Sequence, residues 1–347
     1  MPKSAELQTV TGVIKAEDMG VTLPHEHLFN DLSSVVDNPS YEFSEVLVGK
    51  PVSPDLMWAL RQDPYCSADN VSAKEVEKVV TEVKQFAALG GRTIVDATGT
   101  AAIGRNPQRL LEVAKQTGVN VVMSSGGYLE KFEAERITAR SVDAQAEEII
   151  KDIRTGVDDT GIKAGMIGEI GVSPSFTEAE HASLRAGALA QKELGTVALN
   201  IHMPGWQRRG DEVLDIVLDE IGASANKVSL AHSDPSGADV DYQRRLLDRG
   251  VWLEFDMIGL DITFPKEGVS PSVSETVDAV YGLIEAGYAS QLLLSHDLFL
   301  KQMWTQNGGN GFVFVPQVFC GLLKSKGVSD EVIHQLLVEN PKKVLTD

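Results

Sequence analysis

The sequence contains little cysteine, few basic residues and no long apolar run. Cys66 and Cys320 are the two cysteines among 347 residues, and no CxxC occurs, which excludes a disulfide framework, a zinc ribbon and a redox pair. Basic residues number 31 against 50 acidic residues, giving a formal net charge of −19. Because such a chain repels nucleic-acid phosphates and anionic membrane surfaces, neither is expected as a partner.

Two further absences concern membranes and export. No window of the sequence approaches the ~18 uninterrupted apolar residues that a transmembrane helix needs. Residues 1–6 lack the basic and apolar segments of a secretory signal. The sequence therefore predicts a cytoplasmic location, and its apolar fraction of 43% is typical of a globular protein.

Short apolar runs alternate with amphipathic segments along the chain. The runs are continuous rather than alternating, which is typical of parallel strands buried on both faces. Strands are predicted over Gly20–Leu23, Thr93–Thr98, Val119–Ser124, Ala164–Ile170, Thr196–His202, Lys227–Ala231, Val251–Phe255 and Gln291–Ser295. The first long helix is predicted to start at a capping box formed by Ser72 and Glu75.

Eight strands alternating with helices predict a single (β/α)₈ TIM barrel, of class α/β, over residues 1–347. The long interval at about residues 28–71 is interpreted as an excursion near the barrel mouth. A doubly wound open sheet is the alternative, but no GxGxxG follows a predicted strand. In a barrel, the functional site is expected at the carboxyl ends of the strands.

Four histidines and two carboxylates fall at those carboxyl ends. In His25-Glu26-His27 the two imidazoles share one face and Glu26 faces the other way. A lone histidine in a barrel is more often a structural or surface residue than a ligand, whereas several independent placements at one mouth point to metal binding. The predicted ligands are His25, His27, Glu169, His202, His232 and Asp297.

Imidazole and carboxylate donors suit divalent transition metals. Zn²⁺ is the expected ion, with Mn²⁺, Co²⁺ and Fe²⁺ as alternatives. Six ligands exceed the needs of one tetrahedral ion with an open position, so the sequence predicts two ions that share a bridging carboxylate and a bridging hydroxide. His296, next to Asp297, is expected to face the opposite way, towards the helices or a neighbouring loop.

The loop after the fifth predicted strand carries further candidates. Arg208 and Arg209 stand near the mouth of a chain short of positive charge, where they could bind an anionic substrate group. A solvated basic pair is the alternative interpretation. Trp206 in the same loop is predicted to wall the substrate pocket or to anchor the loop.

Motifs along nearly the whole chain resemble the phosphotriesterase family of the amidohydrolase superfamily. They run from Thr9–Gly12 and Leu23–His27 to Glu339–Lys343. The resemblance implies a barrel with a binuclear metal centre. By position it implies that one ion is held by His25, His27 and Asp297, that the second is held by His202 and His232, that Glu169 bridges them, and that Tyr128 contacts the substrate oxygen, although Tyr128 could equally serve only for packing.

Two residues depart from the pattern of the phosphotriesterases proper. Glu169 stands where they have a carboxylated lysine, and it supplies the same two oxygens. Met257 stands where they have a histidine and the related lactonases an arginine, which disfavours organophosphate hydrolysis. Gly165–Gly171 and Leu253–Asp256 are more similar to the phosphotriesterase-related branch, which includes N-acetyltaurine hydrolase and resiniferatoxin-binding proteins.

The sequence therefore predicts a metal-dependent hydrolase acting on a small molecule. A bridging hydroxide attacks the carbonyl of a carboxylic amide, ester or lactone, and the catalytic Asp297 takes the proton and passes it to the leaving group. A phosphotriester hydrolase is the first alternative, and a binding protein with a vestigial metal site is the second. A homodimer is expected by resemblance.

Overall fold

Eight parallel strands form the central sheet of the computed structural model, which describes residues 5–133 and 135–346. The sheet order is β12-β9-β8-β7-β6-β5-β4-β3. Its strands are β3 (Val21–Glu26), β4 (Gly91–Asp96), β5 (Asn120–Ser125), β6 (Met166–Gly171), β7 (Leu199–His202), β8 (Val228–Leu230), β9 (Trp252–Phe255) and β12 (Leu292–Leu294). Two antiparallel hairpins, β1 (Glu6–Thr9) with β2 (Gly12–Lys15) and β10 (Thr263–Phe264) with β11 (Gly268–Val269), lie outside it.

The helices fall mainly between the strands. They are α1 (Met57–Leu60), α2 (Ala68–Val71), α3 (Val76–Ala88), α4 (Pro107–Thr117), α5 (Glu130–Glu133), α6 (Glu135–Thr138), α7 (Val142–Arg154), α8 (Glu178–Leu194), α9 (Gly210–Leu214), α10 (Val240–Asp248), α11 (Val273–Glu285), α12 (Cys320–Ser325), α13 (Asp330–His334) and α14 (Asn340–Leu345). π-Helical segments continue α9 over Asp215–Ile221, precede α12 over Val315–Phe319, and join α13 to α14 over Gln335–Glu339. The alternation of strand and helix confirms the predicted (β/α)₈ barrel.

Hydrogen bonds join β3 to the residues that follow β12, so the two edges of the sheet meet. The Asp297 N–H donates to the His25 carbonyl at 3.2 Å, and the His25 N–H donates to Ser295 Oγ at 3.1 Å. Closure brings the carboxyl ends of all eight strands around one mouth.

Successive strand residues alternate between two buried layers. Ile94 and Val121 pack in the large cluster that includes the helices, whereas Val95 and Val122 join a second cluster inside the barrel. Because both faces are buried, the strands need apolar residues at nearly every position, which explains their continuous apolar runs.

The capping box predicted at Ser72 and Glu75 is wrong. The helix α3 begins at Val76, after Glu75, and no side chain caps it. Ser72 instead ends α2, and its hydroxyl accepts from Lys301 Nζ at 2.7 Å. Residues 1–4, part of the segment 1–6 that lacks the pattern of a secretory signal, lie outside the described residues. In the part of the chain that the structure describes, no helix is both long and apolar enough to cross a membrane.

Candidate metal centre

The six predicted ligands gather at the carboxyl ends of five barrel strands. His25 lies in β3 and His27 one residue beyond it, Glu169 lies in β6, and His202 ends β7. His232 and Asp297 follow β8 and β12, and both have left-handed backbones, with φ of 56° and 50°. Such a backbone is uncommon outside glycine and is typical of functional sites.

His25, His27 and Asp297 form one group. His27 Nε2 lies 3.2 Å from Asp297 Oδ1 and 3.2 Å from Glu169 Oε1. His25 Nε2 lies 3.8 Å from Asp297 Oδ1 and 3.5 Å from Glu169 Oε2. The three residues are buried and their donor atoms are close enough together to share one metal ion.

His202 and His232 form a second group, also next to Glu169. His232 Nε2 lies 2.8 Å from His202 Nδ1. Glu169 Oε2 lies 3.1 Å from His202 Nδ1 and 3.7 Å from His232 Nε2. The Glu169 carboxylate therefore contacts both groups: Oε1 faces His27, and Oε2 faces His25, His202 and His232.

One buried nitrogen tests whether these residues fit a metal ion. His25 Nε2 is buried and has no hydrogen-bond partner, although a buried nitrogen without a partner is costly. A metal ion would satisfy this nitrogen, and the surrounding imidazoles and carboxylates are donors that Zn²⁺ and related ions prefer. The residues present fit a divalent metal.

The carboxylates around His25 and His27 favour positive charge there, whereas burial lowers the pKa of His202. Burial lowers the pKa of His25, but the carboxylates of Glu169, Asp256 and Glu254 outweigh it and raise that pKa to about 10. For His27, burial is likewise outweighed by Asp297 and Glu169, and its pKa is raised to about 9. The carboxylates that hold a proton on these imidazoles would also attract a cation, which displaces the proton on binding.

Three of the imidazoles have a hydrogen-bond partner at Nδ1, the ring nitrogen that faces away from the candidate centre. None of these partners was predicted from the sequence. His27 Nδ1 lies 2.8 Å from Thr98 Oγ1. His25 Nδ1 lies 3.3 Å from Glu254 Oε2, and His232 Nδ1 lies 2.9 Å from Asp256 Oδ1. Partners of this kind fix the orientation of metal-binding imidazoles. The signal in the sequence was two carboxylates in the otherwise apolar Leu253–Asp256 strand.

A cavity of about 920 Å³ opens beside the six residues. Its wall includes five of the predicted ligands, His27, Glu169, His202, His232 and Asp297. The predicted substrate contacts Tyr128 and Trp206 also line it, as does Met257, which differs from the residue of the phosphotriesterases proper. The Tyr128 hydroxyl lies 3.4 Å from His202 Nδ1. Residues Leu32, Val35, Asp37, Tyr65 and Val71, from the segment predicted as an excursion, complete part of the wall.

The predicted arginine pair is not part of this wall. Arg208 lies 3.3 Å from Asp239 Oδ2 and donates to the Gly205 and Pro235 carbonyls. Arg209 donates to Glu212 at 2.7 Å and to the Pro174 carbonyl. Both guanidinium groups are thus engaged by protein acceptors, and the predicted anion-binding role stays a prediction.

Imidazoles and carboxylates grouped at the mouth of a (β/α)₈ barrel are the arrangement of a metal-dependent hydrolase. The chain belongs to the phosphotriesterase family, which it matches over residues 5–345, and it is a hydrolase. This confirms the resemblance stated from the sequence.

Relatives from animals cover nearly the whole chain. An N-acetyltaurine hydrolase from Danio rerio is 33% identical over 347 residues, covering 98% of each chain. A phosphotriesterase-related protein from Nematostella vectensis is 31% identical and covers 99% of each chain. These names agree with the phosphotriesterase-related branch predicted above.

Solved structures share the fold. A resiniferatoxin-binding protein from Rhodobacter sphaeroides superimposes with a TM-score of 0.95 at 42% identity, covering 98% of this chain and 94% of that one. A phosphotriesterase homology protein from Escherichia coli, solved with phosphate in its active site, gives a TM-score of 0.77 at 26% identity, covering 94% of this chain and 99% of that one.

Proposed function

We propose that this hydrolase uses two divalent ions, with Zn²⁺ expected, to cleave a carboxylic amide, ester or lactone of a small molecule. The observation that carries the proposal is the buried, unpartnered Nε2 of His25 among carboxylates and imidazoles. Relatives named N-acetyltaurine hydrolase support a carbonyl substrate, because that name describes cleavage of an amide.

The ligand sets follow the two groups of side chains. His25, His27 and Asp297 would hold one ion, and His202 and His232 the second, with the Glu169 carboxylate between them. When bound, such ions lower the pKa of water and polarise a carbonyl oxygen. A carboxylate at position 169 supplies its two oxygens without needing carbon dioxide, unlike a carboxylated lysine.

Proton transfer is assigned to Asp297. Asp297 is 8% exposed and lines the cavity, and its Oδ1 lies 3.2 Å from His27 Nε2. Asp297 Oδ1 accepts the proton of the attacking water and delivers it to the leaving group as the bond to the carbonyl carbon breaks. The Tyr128 hydroxyl, also in the cavity wall, orients the substrate oxygen.

The cavity favours a substrate with a bulky apolar group beside the carbonyl. Its volume of about 920 Å³ suits a drug-sized molecule. The rings of Tyr65, Phe264 and Phe299 lie 5.5 to 6.4 Å apart on its wall, and Trp206 lies 6.0 Å from Phe264.

The test combines metal analysis with a hydrolysis panel. Purified protein loaded with Zn²⁺ or Mn²⁺ is assayed on N-acyl taurines and amino acids, lactones, aryl esters of acetyl to decanoyl length, and phosphotriesters. We expect about two ions per chain and carbonyl turnover that rises with acyl length. The double variant His25→Ala and His27→Ala, treated identically, is the inactive control.

Three results would contradict parts of this proposal. Dominant phosphotriester turnover would mean that Met257 is no barrier and that the carbonyl class is wrong. Preference for acetyl over longer acyl groups would refute the bulky-substrate inference alone. Fewer than about one ion per chain, with no turnover after reloading, would favour a binding protein with a vestigial metal site.

A further inference from the structure

Glu26 lies between His25 and His27 but faces away from them and is fully buried. Its Oε1 accepts from Ser295 Oγ at 2.8 Å, from the His296 N–H at 3.0 Å and from His296 Nδ1 at 2.7 Å. Its Oε2 accepts from the Leu298 N–H at 2.9 Å. One carboxylate thus receives four hydrogen bonds, and we call this arrangement the Glu26 clasp.

All four donors belong to residues within two positions of Asp297. Asp297 itself has a left-handed backbone, with φ of 50°, which a residue with a Cβ adopts only when its surroundings hold it there. The donors on either side of it, in His296 and Leu298, are the groups that Glu26 binds. The clasp therefore holds the bend that turns the Asp297 carboxylate towards His27.

The His296 imidazole is held by a hydrogen bond at each of its two ring nitrogens. Its Nδ1 hydrogen points to Glu26, while its Nε2 accepts from the Val315 N–H at 2.9 Å. This imidazole is thereby fixed between β3 and the segment before α12, and it faces away from the cavity as the sequence predicted. Neither Glu26 nor His296 lines the cavity, so neither is placed to touch the substrate.

We propose that Glu26 is a positioning residue that sets the place of the Asp297 carboxylate, and through it the affinity of the centre for its metal ions. The proposal rests on the function proposed above, in which Asp297 is both a ligand and the proton acceptor. It assigns a role to the middle residue of His25-Glu26-His27, which the ligand set leaves unexplained.

The informative substitution is Glu26→Gln. The amide keeps the size of the side chain but has one acceptor oxygen and an NH₂ group, which would meet N–H or O–H donors on one side of the clasp. Either the bonds at Oε1 or the bond at Oε2 must be lost. The bend at Asp297 is then held less firmly.

Glu82 provides a matched control. Its carboxylate is also buried and accepts from the Thr305 N–H at 3.2 Å, from Thr305 Oγ1 at 2.9 Å and from the Gln306 N–H at 3.1 Å. Glu82→Gln removes a similar set of bonds between α3 and a loop, with no contact to the candidate metal centre. A purely structural clasp would give both variants the same properties.

The measurement is Zn²⁺ affinity by equilibrium dialysis against a competing chelator, with the melting temperature recorded alongside. We expect Glu26→Gln to bind Zn²⁺ about 10- to 100-fold more weakly, the usual effect of losing a partner behind a metal ligand. Its kcat should fall while KM stays within about twofold. The melting temperature of Glu82→Gln should fall by a similar amount, but its affinity for Zn²⁺ should equal that of wild type.

Equal Zn²⁺ affinity in wild type, Glu26→Gln and Glu82→Gln would overturn the positioning role. Should Glu26→Gln fail to fold, His296→Phe removes the Nδ1 donor of the clasp, and the His296 side chain contacts no proposed ligand. This variant should weaken Zn²⁺ binding by about threefold or more, and an unchanged affinity would refute the proposal. If wild-type protein itself binds less than about one ion per chain, the proposed function fails instead, and the two failures are thereby distinguished.

Discussion

At the scale of single residues, the candidate centre is built from carboxylates as much as from imidazoles. Glu254 and Asp256 stand behind His25 and His232, while Glu169 and Asp297 stand in front of His27. Buried carboxylates repel one another, so their concentration is stable only with protons or cations between them. The same groups that orient the imidazoles would thus favour a bound cation.

Replacing the proposed proton acceptor tests its role directly. We expect Asp297→Asn to lower kcat/KM by about 10²- to 10⁴-fold, because the amide cannot accept the proton of the attacking water. The assay uses metal-loaded protein, with ion content and melting temperature measured on the same sample. Turnover within about tenfold of wild type at full metal content would show that another group accepts the proton.

A buried lysine predicts how stability changes with pH. Lys74 Nζ is enclosed by the Asn30 carbonyl, Asn30 Oδ1 and the Phe299 carbonyl, and burial together with the nearby Lys301 charge lowers its pKa to about 7. Between pH 7 and the ordinary lysine pKa near 10.5, the unfolded chain therefore binds more protons than the folded chain. This residue adds stability as pH rises through that window and loses that contribution as pH falls towards 7.

The check compares wild type with Lys74→Met in urea unfolding at pH 7 and pH 9. The free energy of unfolding of wild type relative to the variant should rise by about 2 kcal/mol between the two pH values, since each unit is worth about 1.4 kcal/mol. A difference that is the same at both pH values would mean that Lys74 keeps its proton in the folded protein.

At the scale of elements, prediction from sequence succeeded where burial is uniform. Each of the eight barrel strands was found because both of its faces are apolar. The predicted ligands lie together because they stand where those strands end. The hairpin of β10 and β11 escaped because its strands have two residues each. The helix start at Ser72 was wrong because the Lys301 ammonium, 229 residues away in the sequence, uses that hydroxyl.

The small hairpin nevertheless shapes the cavity wall. A Cβ at Gly268, where φ is 158°, would lie 2.3 Å from Trp206 Nε1, which donates to the Val269 carbonyl at 3.2 Å. Gly268→Ala should therefore displace the indole and raise KM about fivefold for a bulky substrate, with kcat changed less than twofold. Steady-state kinetics and tryptophan fluorescence measure both effects.

Gly282→Ala is the control for this substitution. Gly282 lies within α11, and nothing is within 4 Å of its would-be Cβ. Alanine should leave KM unchanged and stabilise the helix by about 0.5 to 1 kcal/mol. An unchanged KM in Gly268→Ala would show that Trp206 does not contact the substrate.

At the scale of the whole molecule, metal binding and folding should be coupled. The proposed ligands come from β3, β6, β7 and the ends of β8 and β12, so an ion at the mouth would join elements that are far apart in sequence. The predicted homodimer and cytoplasmic location stay predictions, since they depend on surfaces and surroundings outside this mouth.

Removing metal should therefore lower the melting temperature. Binding at 100 times Kd adds about 2.7 kcal/mol per site, so we expect a chelator to lower the melting temperature by about 5 °C or more and added Zn²⁺ to restore it. Differential scanning calorimetry is the measurement. In the double variant His25→Ala and His27→Ala, the chelator should change the melting temperature much less. An equal change in both proteins would mean that the stabilising ion binds elsewhere.

The closure of the barrel sets an order of events during synthesis. Glu26 and Leu298 are 272 residues apart, so His25 and His27 leave the ribosome long before Asp297 does. Contacts across such a separation form late in folding. A nascent chain thus carries the imidazoles before the last carboxylate of the group exists, and the proposed ion binding would complete assembly only after the barrel has closed.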